Sequence, residues 1–312
     1  LLMNHPDVNL ILATGGTGMV RSAYSCGKPA LGVGAGNVPA YVEKTCVLKR
    51  AVNDIVLSKS FDNGMICASE QAAIVDEEIY QDFKDEMCRF KVYFANEEEK
   101  AKLENYMFGC TAYSDHVNDA HLNPAVVGKP VTWIAQQAGF VVPEDTQIIC
   151  AECQEVGPNE PLTREKLSPV LAVLKATSTE DGIEKSAAMV EFNGLGHSAA
   201  IHTQDHDITV QFGLKCKAIR VIENAPSTFG GIGSVYNAFI PSLTLGCGSY
   251  GHNSVSNNVS AINLLNIKRI GRRNNNMQWV KLPPKVYFEK NSIIIAKSFE
   301  EFLNCLEENP DD

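Results

Sequence analysis

The order of the apolar runs near the start of the chain constrains its fold more than any other feature. The run "VNLILATGG" predicts a buried strand that ends in glycines, "TGMVRSAYSCG" predicts a helix that stops at Gly27, and "KPALGVGAG" predicts a second apolar strand. Consecutive strands joined by a helix run parallel, because the crossover carries the chain back to the end where the first strand began. The sequence therefore predicts a parallel α/β sheet, of which only part of a doubly wound arrangement is present.

Strands and helices continue to alternate along the rest of the chain. "AYVEKTCVLKRAVNDIVLSKSF" predicts a short strand and then an amphipathic helix. Further strands are predicted at "TQIICAE", "LSPVLAVLKAT", "SAAIHTQD", "KAIRVIENAP" and "AINLLNIKRIG", and further helices at "EEIYQDFKDEMCRF", "NEEEKAKLENYMFG" and "STEDGIEKSAAMVEFNG". The fold class is thus α/β, with a partial parallel nucleotide-binding sheet followed by an α/β catalytic domain.

Changes in composition divide the chain into four segments. Residues 1–60 are predicted to hold the last part of a nucleotide-binding domain, 61–250 a catalytic domain, 251–276 a return strand for oligomer contacts, and 277–312 a linker with the start of another domain. The linker is inferred from an Asn run, a Pro pair and an extended aromatic segment. The chain starts in the middle of an element and without an initiator Met, so we expect a fragment that lacks its N-terminal part.

Charge, apolar content and cysteine usage exclude several classes of protein. A net charge of −10 disfavours nucleic-acid binding, because an acidic chain cannot displace counterions from a phosphate backbone. No run of about 18 apolar residues predicts a membrane span, and the N-terminus lacks the pattern of a signal peptide. The 10 cysteines lie mostly in apolar settings, which predicts reduced thiols in a cytoplasmic protein.

The cysteines and histidines predict no metal site. Cys150 and Cys153 form a C-x-x-C pair, but a zinc site needs about four ligands and no second pair exists. His202 and His206 have the i, i+4 spacing of a helix, yet "AAIHTQDHDIT" predicts the end of a strand and a turn. Both pairs are therefore interpreted as structural.

Three glycine clusters could be dinucleotide-binding turns, but only one lies between a strand and a helix, as such a turn requires. "GLGHSA" at 194–199 follows a helix and leads into a strand, which is the reverse of a phosphate-binding turn, and "GVGAGNVP" at 32–39 also precedes a strand. "ATGGTGMV" at 13–20 lies between a strand and a helix, where a ligand can approach the backbone and the helix N-terminus. The candidate cofactor-binding residues of this turn are Thr14, Gly15, Gly16 and Thr17.

Taken together, the Gly-rich turn, "GAGNVP", the cysteine in "ICASEQ" and the later "EKLSPV" resemble the aldehyde dehydrogenase superfamily. The resemblance is closest to its CoA-acylating branch, and within it to the aldehyde dehydrogenase half of bifunctional acetaldehyde/alcohol dehydrogenases. It covers nearly the whole chain, and "WVKLPPKVYF" is similar to the joint that leads into an iron-dependent alcohol dehydrogenase half. Iron would then belong only to that downstream domain, which is truncated here.

The resemblance assigns roles to individual residues. Cys67 falls at the catalytic nucleophile, and the turn at 14–17 falls where the family passes the nicotinamide of NAD. Glu165 and Pro169 fall in the motif whose glutamate holds the nicotinamide ribose. The acylating branch has a histidine at the position of His197, near CoA or the acyl group, and a structural histidine is the alternative, which is favoured slightly less.

The expected mechanism depends on the absence of a glutamate at residue 33. Hydrolytic members have "ELGGKSP" where this chain has "VGAGNVP", so their general base becomes Val33, at a separation from Cys67 of 67 − 33 = 34 residues. The Cys67 thiolate would attack the aldehyde, and the resulting acyl-enzyme would wait for the thiol of CoA because no base activates water. The segment after the cysteine, "ASEQAAI", is predicted to supply part of a helix N-terminus that lowers the thiol pKa.

The resemblance implies an NAD-dependent enzyme that interconverts acetaldehyde and acetyl-CoA, within a protein that makes ethanol. A stand-alone acylating dehydrogenase for a longer aldehyde is the second interpretation, and the linker at 277–290 disfavours it. The third is an inactive fragment that serves assembly, since the "AINLLNIKRI" strand could pair between subunits of a homo-oligomer or filament. Without the first half of its sheet, the isolated chain is expected to bind NAD weakly.

Overall fold

The computed structural model describes residues 1–273, in which Leu1–Leu264 form one compact unit. A small sheet pairs β1 (Ile11–Thr14) with β2 (Ala30–Val33) in parallel, and α1 (Thr17–Ser25) joins them. This confirms the predicted order of strand, helix and strand. The predicted linker and the strand and helix after it lie outside the described residues.

A second sheet has seven parallel strands in the order β5-β6-β7-β4-β3-β8-β9. Its strands are β3 (Val38–Val42), β4 (Glu70–Asp76), β5 (Val92–Phe94), β6 (Ile148–Glu152), β7 (Val170–Ala176), β8 (Gly196–His202) and β9 (Ala218–Glu223). The remaining helices are α2 (Leu48–Ser60), α3 (Tyr80–Arg89), α4 (Glu97–Phe108), α5 (Val131–Ala138), α6 (Thr179–Asn193), α7 (His206–Lys215) and α8 (Ser227–Ile232). The α/β class with a parallel sheet is confirmed.

Both faces of the large sheet are buried under helices. Ile74 of β4 packs into a core with α4 to α7, whereas its neighbour Val75 packs into a second core with α2 and α3. Successive strand residues point to opposite faces, so a sheet covered on both sides needs apolar residues at nearly every position. This explains why the strands appear in the sequence as continuous apolar runs.

Two predictions about elements are wrong, and the pairing of β3 is a further finding. The segment after Cys67 is not a helix start, because strand β4 begins at Glu70 and is buried throughout. The two sheets divide between β2 and β3, since β3 pairs with β4 and β8, and the domain boundary at residue 60 stays a prediction. The predicted strand "AINLLNIKRIG" is also wrong: Ala261–Leu264 form a 3-10 turn, and 265–273 have no regular structure.

Candidate active site

Cys67 lies in a short loop between α2 and β4, which agrees with its loop-like sequence. The loop opens with a tight 3-10 turn in which Asp62 and Asn63 have positive φ values of 48° and 49°. Gly64 follows at φ 68°, and a Cβ there would lie 2.5 Å from the carbonyl oxygen of Ser168. Only glycine allows this contact, which holds the cysteine loop against the segment that carries Glu165.

A cavity of about 280 Å³ brings several predicted site residues together. Its wall contains both strand ends of the small sheet, the cysteine loop and the loop before β7, from positions far apart in the sequence. The lining residues are Thr14, Gly15, Gly16, Gly34, Ala35, Met65, Ile66, Cys67, Glu165, Leu167, Ile232, Leu243 and Leu245. Among these described residues, only Cys67 and Glu165 have side chains that titrate.

Two of the predicted cofactor-binding residues, Thr17 and Pro169, do not line this cavity. Thr17, the first residue of α1, lines a neighbouring cavity of about 570 Å³ that shares Gly34 and Ala35 with the first. Pro169 is buried directly before β7 and lines neither cavity. Its carbonyl oxygen accepts a hydrogen bond from Ile149 N–H at 3.0 Å, so its visible contribution is to the pairing of β6 with β7.

Glu165 is held by the backbone of the glycine-rich segment. Its Oε1 accepts a hydrogen bond from the Gly36 N–H at 3.0 Å. Burial raises the pKa of this carboxyl to about 7, although the Gly36 N–H and the cations Lys59 and Lys166 favour its ionised form. Lys59 is itself fully buried, and burial lowers its pKa to about 7.

The Cys67 thiol is not ionised by its surroundings. Burial, followed by the Glu165 carboxylate and Cys247, raises its pKa to about 12, against the lowering effect of Arg220. The predicted helix N-terminus that would have lowered this pKa does not exist, because the chain enters β4. Nucleophilic attack therefore requires a group that removes the thiol proton.

His197 is fully buried near the start of β8. Its Nδ1 lies 3.1 Å from the Ser198 hydroxyl, and its Nε2 has no hydrogen-bond partner within the described chain. Burial, assisted by Arg220, lowers its pKa to about 3, so the ring is neutral. A Cβ on Gly36 would lie 2.3 Å from the Cys67 carbonyl oxygen and 3.0 Å from His197 Cγ, so both predicted catalytic residues lie close to this glycine.

Sequence reasoning missed Arg220 on β9, which is 3% exposed. Its Nη1 donates to the His197 carbonyl at 2.7 Å, its Nε donates to Asn258 Oδ1 at 2.8 Å, and its Nη2 donates to the Gly246 carbonyl. The guanidinium thus joins β8, β9 and the loop around 246. An arginine inside the apolar run "KAIRVIENAP" was the available signal, because a buried charge in a strand needs partners.

Val33 offers no base to this site. It ends β2, its side chain is fully buried, and its carbonyl accepts the Gly15 N–H at 3.2 Å. Its side chain does not line the cysteine cavity, where Glu165 is the single carboxylate among the described residues.

Neither of the two rejected metal pairs forms a cluster. Within residues 1–273, no group of three or more His, Cys, Asp or Glu side chains could hold a metal ion. His202 ends β8, as the sequence indicated, whereas His206 begins helix α7 and does not lie in the predicted turn. None of the helices in the described part of the chain is both long and apolar enough to cross a membrane.

Comparison with known proteins identifies relatives of this chain. The profile of the aldehyde dehydrogenase family matches residues 1–94. The aldehyde-alcohol dehydrogenase of Streptococcus pneumoniae serotype 4 is 69% identical over 292 residues, which cover 94% of this chain and 33% of that protein. The chain therefore spans about a third of the length of that relative.

Solved structures share the fold. An acetylating aldehyde dehydrogenase from Geobacillus thermoglucosidasius superposes with a TM-score of 0.82 at 43% identity, covering 88% of this chain and 59% of that one. A propionaldehyde dehydrogenase from Rhodopseudomonas palustris, solved with bound CoA and an acylated cysteine, superposes with a TM-score of 0.68 at 25% identity, covering 82% of this chain and 55% of that one.

Proposed function

Because the chain belongs to the aldehyde dehydrogenase family, we propose that it is the CoA-acylating aldehyde dehydrogenase part of a bifunctional aldehyde-alcohol dehydrogenase. The reaction interconverts acetaldehyde, NAD and CoA with acetyl-CoA and NADH, and a further domain reduces acetaldehyde to ethanol. One observation carries the proposal: Cys67 shares a cavity with the glycine turn after β1 and with Glu165, while Val33 stands where hydrolytic members have their base.

The residues around the cavity suit a nicotinamide cofactor. Gly16 caps α1 without a side chain, and a Cβ added at Gly16 or Gly34 would meet no atom within 4 Å. A flat ring can therefore approach bare backbone at this edge of the small sheet. Thr14, Gly15 and Gly16 would hold the nicotinamide, with Thr17 beside them, and the Glu165 carboxylate would hold its ribose. When bound, this cofactor accepts the hydride.

The other residues supply the covalent chemistry. Cys67 attacks the aldehyde carbon, and its backbone N–H donates to the oxygen that gains charge. His197 remains neutral, and its unpaired Nε2 is our candidate for contact with the acyl oxygen or the thiol of CoA. Pro169 acts indirectly, by fixing the segment that carries Glu165. With Val33 in place of a base, CoA rather than water receives the acyl group.

The proposed setting is a cytoplasmic homo-oligomer. Every cysteine within the described residues carries a free thiol, which supports a reducing compartment. The segment 261–270 exposes a set of apolar side chains that supports a contact with a second copy. They are Ile262, Leu264, Leu265, Ile267 and Ile270. Iron, NAD specificity and ethanol formation belong to the proposal for the longer protein.

Replacement of the nucleophile tests this function. In the full-length enzyme that carries this sequence, Cys67→Ala should abolish acetyl-CoA formation, because no thioester can form. Alcohol dehydrogenase activity should survive and serves as the control for folding. Retention of more than about a tenth of the acylating activity would remove Cys67 from its assigned role.

A further inference from the structure

A second titratable group is fixed beside Cys67. Oε1 of Glu165 accepts the Gly36 N–H at 3.0 Å, and within residues 1–273 no donor reaches its Oε2. Gly36 also abuts Cys67, because a Cβ there would lie 2.3 Å from the Cys67 carbonyl oxygen. Since both side chains line the same cavity, the carboxyl has one oxygen free to act on a group within it.

Buried lysines stabilise the negative charge of this carboxyl. The groups that interact electrostatically with Glu165 are Cys67, Cys247, Lys59 and Lys166. Nζ of Lys166 donates to three backbone carbonyls, at 2.9, 2.5 and 2.8 Å, whereas Nζ of Lys59 contacts Gln71 Oε1 at 3.3 Å. When protonated, the two lysines partly offset the burial that raises the pKa of Glu165 to about 7. Burial lowers the pKa of Lys59 to about 7 and that of Lys166 well below its usual value. A carboxyl with a pKa near neutrality can both accept and release a proton.

The other groups near the cysteine are poor proton acceptors. The thiol does not ionise by itself, because its pKa is raised to about 12. His197 is neutral, but its lowered pKa of about 3 makes it a weak base, and its ring is fully buried. Val33 has no titratable group. Glu165 is the remaining candidate among the residues that line the cavity.

We propose that Glu165 is the general base that takes the proton of the Cys67 thiol. In this step the S–H bond breaks as Sγ bonds to the carbonyl carbon of the aldehyde. The electron pair of the C=O π bond moves to the carbonyl oxygen, and the proton moves to Oε2 of Glu165. The inference rests on the proposed function for the identity of the substrate, and it adds a role for this glutamate besides contact with the cofactor.

Two rival roles for Glu165 predict different behaviour. A carboxylate that only holds the ribose would leave the free enzyme's thiol unaffected. A carboxylate that only repels the thiolate would make Cys67 more reactive once its charge is removed. If Glu165 is a general base, its removal makes Cys67 less reactive, even when no cofactor is present.

Alkylation of Cys67 by iodoacetamide separates these roles. The full-length enzyme and its Glu165→Gln variant are treated without aldehyde, NAD or CoA, and modification of each cysteine is followed by peptide mass spectrometry. Glutamine keeps an oxygen for the Gly36 N–H. We expect Cys67 alkylation at pH 7.5 to slow by at least about tenfold in the variant. The exposed Cys88 is the internal standard and should react equally in both proteins.

An unchanged or faster rate at Cys67 in Glu165→Gln would overturn the proposal. Should that variant fail to fold, Glu165→Asp provides the second comparison, with a smaller decrease expected because the base is shortened but retained. The unmutated enzyme gives a further check. As pH increases, its Cys67 alkylation rate should rise with an inflection near pH 7, and a pH profile without this inflection would also overturn the proposal. Failure of the proposed function would instead appear as missing acetyl-CoA, which this experiment does not measure.

Discussion

Gly36 lies close to three of the predicted site residues. Its N–H holds the Glu165 carboxyl, and a Cβ added to it would meet both the Cys67 carbonyl oxygen and the ring of His197. Three residues that the sequence selected separately thus meet at one glycine that it did not select. The motif "GAGNVP" therefore positions the site residues through Gly36. This role is separate from the absence of a glutamate at residue 33.

A methyl group at this glycine should disable the site. In Gly36→Ala the added Cβ would lie 2.3 Å from the Cys67 carbonyl oxygen, so the cysteine loop must move. We expect kcat/KM for acetyl-CoA formation to fall by about 100-fold, as small misplacements of reacting groups do. Gly18→Ala in α1 is the matched control, because a Cβ there meets nothing within 4 Å. Equal activity of the two variants would contradict the arrangement at Gly36.

At the scale of elements, the sequence predicted most strands of the two sheets and missed the short β5 as well as β4. That strand opens with Glu70 and Gln71, both fully buried, which local pattern alone assigns to a surface. Glu70 accepts the Ser227 N–H at 2.9 Å, and Gln71 Oε1 accepts the Lys166 N–H at 3.0 Å. These partners lie far away in the sequence, so tertiary contacts decide this strand.

Strand β8 should make the fold sensitive to acid. Its His202 is 1% exposed, neither ring nitrogen has a partner within the described chain, and burial followed by Arg50 lowers its pKa to about 4. The unfolded chain then binds the proton at higher pH than the folded chain does. Stability should therefore fall as pH decreases from about 6.5 to about 4, by up to about 3 kcal/mol from this residue.

Urea unfolding at several pH values measures this contribution. In His202→Asn the loss of stability between about pH 6.5 and about pH 4 should be smaller than in the unmutated protein. His206→Asn, at an exposed position four residues later, should keep the original pH dependence. Parallel curves for all three proteins would show that His202 does not bind protons differently in the folded and unfolded states.

At the scale of the whole molecule, the cavity forms where the small sheet meets the loops that follow the large one. Thr14 Oγ1 lies 3.0 Å from Thr244 Oγ1, and Ser254 Oγ donates to the Ala30 carbonyl at 2.6 Å. The sequence located the glycine turn and the cysteine but gave no information about these long-range contacts. Residue types could indicate which groups act, whereas their relative placement depends on contacts between residues far apart in the sequence, such as Gly36 with Glu165 and Thr14 with Thr244.

The fate of the acyl group tests the central claim most directly. Full-length enzyme given acetaldehyde and NAD without CoA should form about one NADH per Cys67 site and then nearly stop, because Val33 supplies no base for water. Addition of CoA should restart turnover, with acetyl-CoA rather than acetate as the product. Sustained acetate formation without CoA would contradict the account, since it would require Glu165, the carboxylate that shares the cavity with Cys67, or another residue to activate water at the thioester.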